Sequence, residues 1–253
     1  MSDQEIFKNI YRGHQGLLRH CSYMRMSKVL LAIHMIEKTE ISLEKIKMLD
    51  YGFGAGTLFR YIPKSSALFG VEQDPVVCEE VTASLHARGH ANVDLSPISL
   101  ANWREHRLLK TRYDLIVCSH VLEHLHDPVD FLTVLKSCLE PNGVILGLVP
   151  LNERVVNPHH VQKADHAVIK AWANDSGLRL VAYEEADPWI YWLQPLYTHD
   201  AGLRYRISQA VSLGLGIPAT LMGSSAWFAL GKIFARLTSS LPNQAVFVLE
   251  QGN

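Results

Sequence analysis

Three short segments of the sequence combine residue types that bind ligands or move protons. Residues 50–56 read DYGFGAG, which places three glycines on alternate positions after an acidic residue. Glycine lets the backbone turn tightly and approach a ligand that a Cβ atom would repel. Residues 120–124 read HVLEH and residues 157–160 read NPHH, so both segments carry imidazoles, which can take up or release a proton. The sequence therefore predicts a ligand-binding loop and two segments suited to acid–base chemistry.

The spacing of the glycines separates two classes of ligand. A dinucleotide-binding loop has glycine at its first, third and sixth positions, and the sixth position counted from Gly52 is Thr57. The carboxylate of Asp50 would also repel a pyrophosphate, whereas it would attract a positively charged ligand. The loop therefore favours a cationic ligand over a nicotinamide dinucleotide.

The segment HVLEH also matches the zinc protease pattern H-x-x-E-H. In a zinc protease both histidines lie on one face of a helix. Here the pattern begins directly after the apolar run YDLIVCS of residues 113–119, at a turn from a strand into a helix. We therefore consider a zinc protease the weaker interpretation of this segment.

Short apolar runs alternate along the chain with segments of helical spacing. The centres of these runs are apolar throughout, which is typical of parallel strands covered on both faces. This alternation predicts an α/β fold with a doubly wound, mostly parallel, Rossmann-like sheet. Ligands of such sheets bind at the carboxyl ends of the strands, where the glycine loop and His120 both stand. The predicted strands are 47–52, 67–74, 113–119, 143–150, 178–185 and 245–251.

Helices are predicted at 74–88, 127–139 and 165–176, the first two of which open with Asp-Pro, a cap followed by a first-turn proline. One or two further helices are predicted within 4–40. We divide the chain into an N-terminal helical segment (1–45), a core (46–187 and 243–253) and a helical insertion (188–242). The insertion is predicted to cap one edge of the sheet and to cover the acceptor. Its aromatic residues are Trp189, Tyr191, Trp192, Tyr197, Tyr205, Trp227 and Phe228.

Composition excludes several other classes of protein. The chain has 253 residues, 48% of them hydrophobic, and a formal net charge of −1, so it is not disordered and has no basic field to attract nucleic acid. Four scattered cysteines and a polar N-terminus without an apolar stretch predict a cytoplasmic protein with reduced thiols. Residues 207–231 lack formal charges, but Pro218 interrupts them, so two short helices fit better than a membrane span. Two partners are considered for segment 203–237: a membrane surface that it touches from one side, or a second copy of the chain.

Four landmarks occur together in the order of a known family. They are the loop DYGFGAG, Glu72 at the end of the second strand, the block YDLIVCSHVLEHLHDP (113–128) and the turn LEPNG (139–143). Over about residues 46–186 the chain resembles the class I S-adenosylmethionine (SAM)-dependent methyltransferases. The resemblance implies that SAM is the cofactor.

The resemblance also assigns roles to residues of this chain. Both oxygens of Glu72 would accept the ribose hydroxyls, and Asp50 would bind near the amino-acid end of the cofactor. Ser99 stands where the family usually has an acidic residue that holds the adenine amino group. The implied cofactor-binding residues are Asp50, Gly52, Phe53, Gly54, Gly56, Glu72, Gln73, Ser99, Leu100, Ser119 and His120.

The catalytic candidates are His160, His120 and His159. The segment NPHHV resembles the family pattern "DP-x-H-V", in which His160 holds the matching place and would take a proton from an attacking hydroxyl. Ubiquinone-type O-methyltransferases resemble the block at 120–124 but place a metal-binding acid where His120 stands. An accessory divalent ion therefore stays open, and we predict that no metal is resident.

The acceptor that we expect is a small molecule, with a hydroxyl of a sugar, lipid-linked glycan or secondary metabolite as the leading candidate. The alternative among enzymes is N- or C-methylation of an aromatic or quinone-like acceptor. The alternative from another class is a non-catalytic SAM-binding partner subunit. Transfer from an activated donor requires mainly alignment of the reacting atoms, so the sequence indicates the cofactor better than the acceptor.

Overall fold

The computed structural model describes residues 22–154, 157–193 and 203–252. Seven strands form one sheet in the order β3-β2-β1-β4-β5-β7-β6, which confirms the doubly wound α/β fold. All pairings are parallel except those of the seventh strand, which is antiparallel to both neighbours. The strands are β1 (Lys47–Tyr51), β2 (Ala67–Glu72), β3 (Val93–Pro97), β4 (Tyr113–Ser119), β5 (Leu139–Pro150), β6 (Leu178–Ala186) and β7 (Gln244–Gln251).

Two strands differ from the prediction. Strand β3 was not among the predicted strands, because an edge strand reading VDLSP has no continuous apolar centre. Strand β5 begins four residues earlier than predicted, and the expected turn at 139–143 is its irregular opening, where the register against β4 shifts. The pairing of Glu72 with Pro97 brings the segment that follows β3, including Ser99, beside the end of β2.

The antiparallel direction of β7 changes the composition of the ligand-binding edge. Its first residue, Gln244, pairs with Pro150 at the end of β5 and with Ala186 at the end of β6. Gln244 and the residue that follows β6, Asp187, therefore lie at the same edge as the carboxyl ends of the parallel strands. Both side chains are buried there.

The predicted helix starts are confirmed. The side chains of Asp74, Asp127 and Asp165 each accept a hydrogen bond from a backbone N–H of the first turn, as N-caps do. The helices are α1 (Tyr23–Lys38), α2 (Pro75–Ala87), α3 (Pro128–Ser137), α4 (His166–Asp175), α5 (Pro188–Leu193), α6 (Leu203–Met222) and α7 (Ser224–Thr238).

Hydrophobic clusters cover both faces of the sheet. One cluster joins α1, α2 and the inserted helices α5 to α7 to one face, while the other joins α3 and α4 to the opposite face. Within the first cluster, Trp227 and Phe228 are almost fully buried. Trp189 stacks on Phe234 with ring centroids 4.0 Å apart. These aromatic side chains of the insertion therefore pack the inserted helices rather than face a ligand, whereas Tyr197 lies outside the described residues.

A buried carboxylate ties α1 and the inserted helix α7 to the sheet. Glu184 of β6 accepts hydrogen bonds from Lys38 of α1 and Lys232 of α7, each at 2.7 Å, and lies 3.2 Å from His34 Nε2. The hydrogen bond with His34 and those with the two lysines hold the pKa of Glu184 well below its ordinary value. One carboxylate thus links three elements that are distant in sequence, β6, α1 and α7.

The uncharged stretch at 207–231 forms parts of two helices, as predicted. Helix α6 contains Pro218, and Gly223 separates it from α7 with a φ of +78°. In the part of the chain that the structure describes, every helix is too short or too polar to cross a bilayer.

Three cysteines, Cys78, Cys118 and Cys138, are free thiols and buried. Burial raises the pKa of the Cys118 thiol, so this side chain stays protonated and packs as a small apolar group. The fourth, Cys21, lies outside the described residues.

Candidate active site

The glycine loop after β1 is built around left-handed backbone positions. Gly52, Gly54 and Gly56 have φ values of +75°, +53° and +65°. A Cβ atom on Gly56 would lie 2.4 Å from Cγ1 of Val81, and one on Gly52 would lie 3.1 Å from Cγ2 of Val121. The loop therefore needs glycine for both its conformation and its close packing.

Glu72 shapes this loop and still has acceptor capacity. Its Oε2 accepts a hydrogen bond from Gly54 N at 2.9 Å, and its Oε1 accepts one from Gln73 N at 2.7 Å. Each carboxylate oxygen has two lone pairs, so both oxygens can accept a further donor such as a ribose hydroxyl. Burial raises the pKa of Glu72, although the backbone hydrogen bonds counteract part of this effect.

Asp50 is a buried carboxyl group at the end of β1, with 4% of its surface exposed. Burial, followed by repulsion from Glu72, raises the pKa of Asp50 to about 8. Within 22–154, 157–193 and 203–252, the Asp50 side chain accepts no hydrogen bond. A cationic ligand would relieve this electrostatic cost, so Asp50 fits the positively charged methionine portion of SAM.

The other residues predicted for the ribose and adenine surround this end of the sheet. Ser99 and Leu100 are exposed beside Glu72, and Ser99 Oγ accepts a hydrogen bond from Ala101 N at 3.3 Å. Gln73 is exposed and contributes its backbone N–H to Glu72. The Phe53 ring packs on Phe59 with centroids 5.6 Å apart. The side chain of Phe53 is therefore committed to the core, which leaves its backbone for the loop.

Ser119 and His120 end β4 on the other side of the loop. Ser119 Oγ is buried and has no hydrogen-bond partner among the described residues, so it is available to form a hydrogen bond with a ligand. His120 adopts a left-handed conformation with φ of +56°, which is uncommon for a residue other than glycine. Its Nε2 lies 3.3 Å from Gln244 Oε1, and its Nδ1 lies 3.1 Å from Glu123 Oε1. The imidazole is thereby fixed at the carboxyl edge of the sheet.

Glu123 was not among the predicted site residues. Its side chain is 1% exposed, and neither carboxylate oxygen has a partner in good hydrogen-bond geometry in the part of the chain described. Burial raises the pKa of Glu123, but its interactions with His120 and His124 outweigh burial and bring the pKa below its ordinary value. The pattern H-x-x-E-H contained the signal, although it was weighed as a zinc motif. Residues 122–124 form one 3₁₀ turn rather than the helix that a zinc protease requires.

The loop at 157–162 brings His160 to the same place. His160 Nδ1 lies 2.7 Å from Glu153 Oε2, its Nε2 lies 2.9 Å from Asn157 Nδ2, and its ring is 4.8 Å from that of His124. His159 has an exposed side chain and contributes its carbonyl, which accepts from His124 Nδ1 at 3.0 Å. Of the two histidines predicted in this loop, the structure places His160 within the cluster.

Glu123, His124 and His160 each offer one atom to a set that lies within 4.8 Å and could hold a metal ion. Both ring nitrogens of His160 are already hydrogen-bonded, to Glu153 and to Asn157. A metal ion would have to break one of these bonds. The absence of a resident metal remains a prediction.

The cradle of Asp50, the glycine loop and Glu72 fits a cationic nucleoside, as in class I SAM-dependent methyltransferase domains. Residues 25–199 match the family described as "Methyltransferase domain", which is more than half of the chain. The chain therefore belongs to this family. When bound, SAM supplies a methyl group that its sulfonium sulfur has already activated.

Among curated proteins, the chain is similar to the ubiquinone biosynthesis O-methyltransferase of Histophilus somni (strain 2336). The two are 30% identical over 117 residues, which are 45% of this chain and 48% of that relative. The match thus spans about half the length of this relative.

Two solved structures share the fold. Coclaurine N-methyltransferase bound to N-methylheliamine and SAH has a TM-score of 0.61 at 13% identity, and the match covers 98% of this chain and 78% of that one. Magnesium protoporphyrin IX methyltransferase from Synechocystis PCC 6803, with bound SAH, has a TM-score of 0.54 at 12% identity and covers 73% of this chain and 88% of that one.

The pKa of Asp50 predicts how the affinity for SAM varies with pH. Because a cationic ligand requires the ionised carboxylate, binding below pH 8 must displace the proton of Asp50. We expect the dissociation constant to fall by about tenfold or more between pH 6 and pH 7.5, as titration calorimetry would measure. Asp50→Asn should bind more weakly and lose most of this dependence. A flat profile in the unmodified protein would remove Asp50 from the cofactor site.

Replacement of Glu72 tests the ribose contact. Glu72→Ala should weaken SAM binding by about tenfold or more, since a hydrogen bond to a charged group contributes about 1.5–3 kcal/mol. Glu79→Ala, at an exposed position of α2, removes the same charge away from the loop and should bind SAM like the unmodified protein. Equal affinities of the two variants would contradict the assignment.

Proposed function

We propose that this protein transfers the methyl group of SAM to a hydroxyl of a small-molecule acceptor. The observation that carries the proposal is the juxtaposition of two sites at one edge of the sheet. An acidic cradle for a cationic ligand follows β1 and β2, while a cluster of histidines and glutamates follows β4 and β5. The first site suits the donor, and the second suits an acceptor that must lose a proton.

Methyl transfer to a hydroxyl requires that the acceptor oxygen is aligned with the methyl carbon and that one group accepts the hydroxyl proton. The acceptor oxygen bonds to the methyl carbon as the carbon–sulfur bond breaks, and the electron pair of that bond remains on sulfur. The hydroxyl proton must leave, and a nearby imidazole or carboxylate can receive it. Amine acceptors that are already deprotonated do not need such a group, so the cluster favours a hydroxyl.

Two aromatic side chains that contact Arg154 favour an acceptor with a ring. Arg154 follows Glu153, the partner of His160, and its guanidinium lies 4.9 Å from the Tyr191 ring and 5.8 Å from the Trp192 ring. Trp192 is 49% exposed. An exposed indole can stack on a sugar or on an aromatic ring, which supports a sugar, a glycan or a ring-containing secondary metabolite.

The test is to identify the methylated product. The protein is incubated with methyl-labelled SAM, a panel of hydroxyl and amine compounds and an extract of the source organism, and the labelled product is analysed by mass spectrometry and NMR. We expect a methyl ether, with no label above background in the Asp50→Asn, Glu72→Ala double variant. A methyl group on nitrogen or carbon would favour the alternative acceptors. Tight SAM binding without any product would favour a non-catalytic partner subunit.

We further propose that α6 and α7 rest on an anionic membrane surface, from which a lipid-linked acceptor would be collected. Residues 203–238 contain four basic residues and no acidic residue. Exposed apolar side chains recur at intervals that keep them on one face of each helix, which is typical of interfacial helices. They are Leu203, Ile207, Val211, Ile217 and Leu221 on α6, and Leu230, Ile233 and Leu237 on α7.

Vesicle sedimentation tests this surface. The protein should sediment with phosphatidylglycerol vesicles and much less with phosphatidylcholine vesicles, and high salt should weaken binding because exposed charges are screened. Leu221→Asp with Leu237→Asp should abolish sedimentation, whereas Val76→Asp, at an exposed position of α2, should not. A dimer in light scattering without vesicle binding would assign this face to a second copy of the chain.

A further inference from the structure

A chain of hydrogen-bonded side chains runs from the inserted helices to His120. Trp227 Nε1 donates to the Tyr23 hydroxyl, which donates to Asp187 Oδ1, both at 2.8 Å. Gln244 Nε2 donates to Asp187 Oδ2 at 3.0 Å, and Gln244 Oε1 lies 3.3 Å from His120 Nε2. The first four side chains are at most 2% exposed. The chain therefore connects side chains from five segments of the sequence, and it ends at the candidate active site.

Asp187 sets the direction of these hydrogen bonds. Burial raises its pKa to about 6, so the carboxylate is mostly ionised at neutral pH and can only accept. Its Oδ1 accepts from the Tyr23 hydroxyl and from Ile190 N, the latter at 3.3 Å. Its Oδ2 is left for Gln244.

The orientation of the Gln244 amide follows from its partners. Its Nε2 donates to Asp187 and also to Ser27 Oγ at 3.1 Å, so its oxygen must face His120. Because an amide oxygen can only accept, His120 Nε2 has to carry a proton. The buried chain thereby selects one tautomer of His120, as the orienting partner of a catalytic histidine does.

This tautomer leaves two acceptors facing each other. With the proton on Nε2, the lone pair of His120 Nδ1 lies 3.1 Å from Glu123 Oε1. A proton bound at Nδ1 would lie beside the Glu123 carboxylate, whose negative charge would stabilise it. The pair of His120 and Glu123 is therefore arranged to take up one proton.

His160 differs from His120 in this respect. Asn157 Oδ1 accepts from His159 N at 3.0 Å, so Asn157 Nδ2 donates to His160 Nε2. His160 Nδ1 then donates to Glu153. Both nitrogens are satisfied by partners of the correct type, so His160 would have to lose the Asn157 bond before it could accept a proton.

We propose that Asp187 and Gln244 are positioning residues that keep the proton of His120 on Nε2, so that His120 Nδ1 and Glu123 together receive the proton of the acceptor hydroxyl. This inference rests on the proposed O-methyl transfer. When the oxygen–hydrogen bond breaks, the proton moves to His120 Nδ1. The resulting imidazolium donates from Nε2 to Gln244 Oε1, and the Glu123 carboxylate beside Nδ1 stabilises its positive charge.

Asp187→Asn tests the proposal by reversing the chain with almost no change in shape. Tyr23 and Ile190 both donate to Oδ1, which keeps the amide oxygen of the new asparagine at that position. Its NH₂ group then faces Gln244, whose amide must turn and present its own NH₂ group to His120. His120 Nε2 would become an acceptor, and the proton would move to Nδ1.

The readouts separate this effect from a loss of fold. In ¹⁵N-histidine NMR spectra, with His120 assigned through a His120→Gln variant, the unmodified protein should show the Nε2–H tautomer and Asp187→Asn the Nδ1–H tautomer. For Asp187→Asn, kcat for O-methylation should fall by about tenfold or more, a general-base effect, while the affinity for SAM stays within about twofold.

Two variants control for stability. Gln244→Glu keeps an acceptor oxygen toward His120, and one proton shared with Asp187 keeps the direction of the chain, so the Nε2–H tautomer and most of kcat should be retained. Tyr23→Phe removes two hydrogen bonds of the chain without reversing it, so it should melt at a lower temperature and keep the Nε2–H tautomer.

The outcomes are distinguishable from failure of the proposed function. An Nδ1–H tautomer in the unmodified protein, or a kcat for Asp187→Asn close to that of the unmodified protein after the tautomer has switched, would overturn the proposal. A fall in kcat for His160→Ala alone, with Asp187→Asn fully active, would assign the proton to His160 instead. If the unmodified protein methylates nitrogen or carbon only, the proposed function itself fails, and with it the role of the pair as proton acceptor.

Discussion

The candidate site depends on a buried carboxyl group, Asp50, that accepts no hydrogen bond from the described residues. Asp50 ends a strand in the middle of the sheet, next to the partly buried carboxyl of Glu72, and its pKa is about 8. Two adjacent carboxyls in a poorly solvated place destabilise the ionised state of the empty protein. A ligand with positive charge converts this cost into binding free energy. The glycine loop gives such a ligand access to the buried group because it has no side chains to obstruct it.

The acceptor side depends on a different constraint, the direction of the last strand. In a purely parallel sheet the first residue of β7 would lie at the amino edge, far from the ligand. Because β7 is antiparallel, its first residue, Gln244, lies at the carboxyl edge, beside Asp187 and His120. Buried polar groups must be hydrogen-bonded, and here each group satisfies the next one in a fixed direction. The hydrogen bonds that satisfy these buried polar groups therefore also select the tautomer of His120.

The inserted helices connect these two requirements to the rest of the fold. Trp227 of α7 joins the polar chain through Tyr23, while Glu184 joins α1, β6 and α7 through three basic partners. The charge-poor outer faces of α6 and α7 remain exposed even though their inner faces are packed. One segment thus stabilises the site from within and offers a surface outside.

The sequence by itself determined the local features of this protein. Strands with continuous apolar centres, Asp-Pro helix starts and the loop of three glycines depend on neighbouring residues, so the α/β class and the position of the glycine loop were predictable. Edge strand β3 was missed because its residues alternate with polar ones. The roles of the predicted site residues remain predictions.

Only the tertiary structure decided which groups meet at the acceptor side. Glu123 acts together with His120. The tautomer of His120 is selected by Gln244 and Asp187, which lie more than 60 residues away in sequence. Hydrogen-bond direction is a property of the whole network rather than of any one residue, because each donor fixes what its partner can do. Local patterns carry no information on such long-range pairings, which appear once the strands and helices are packed.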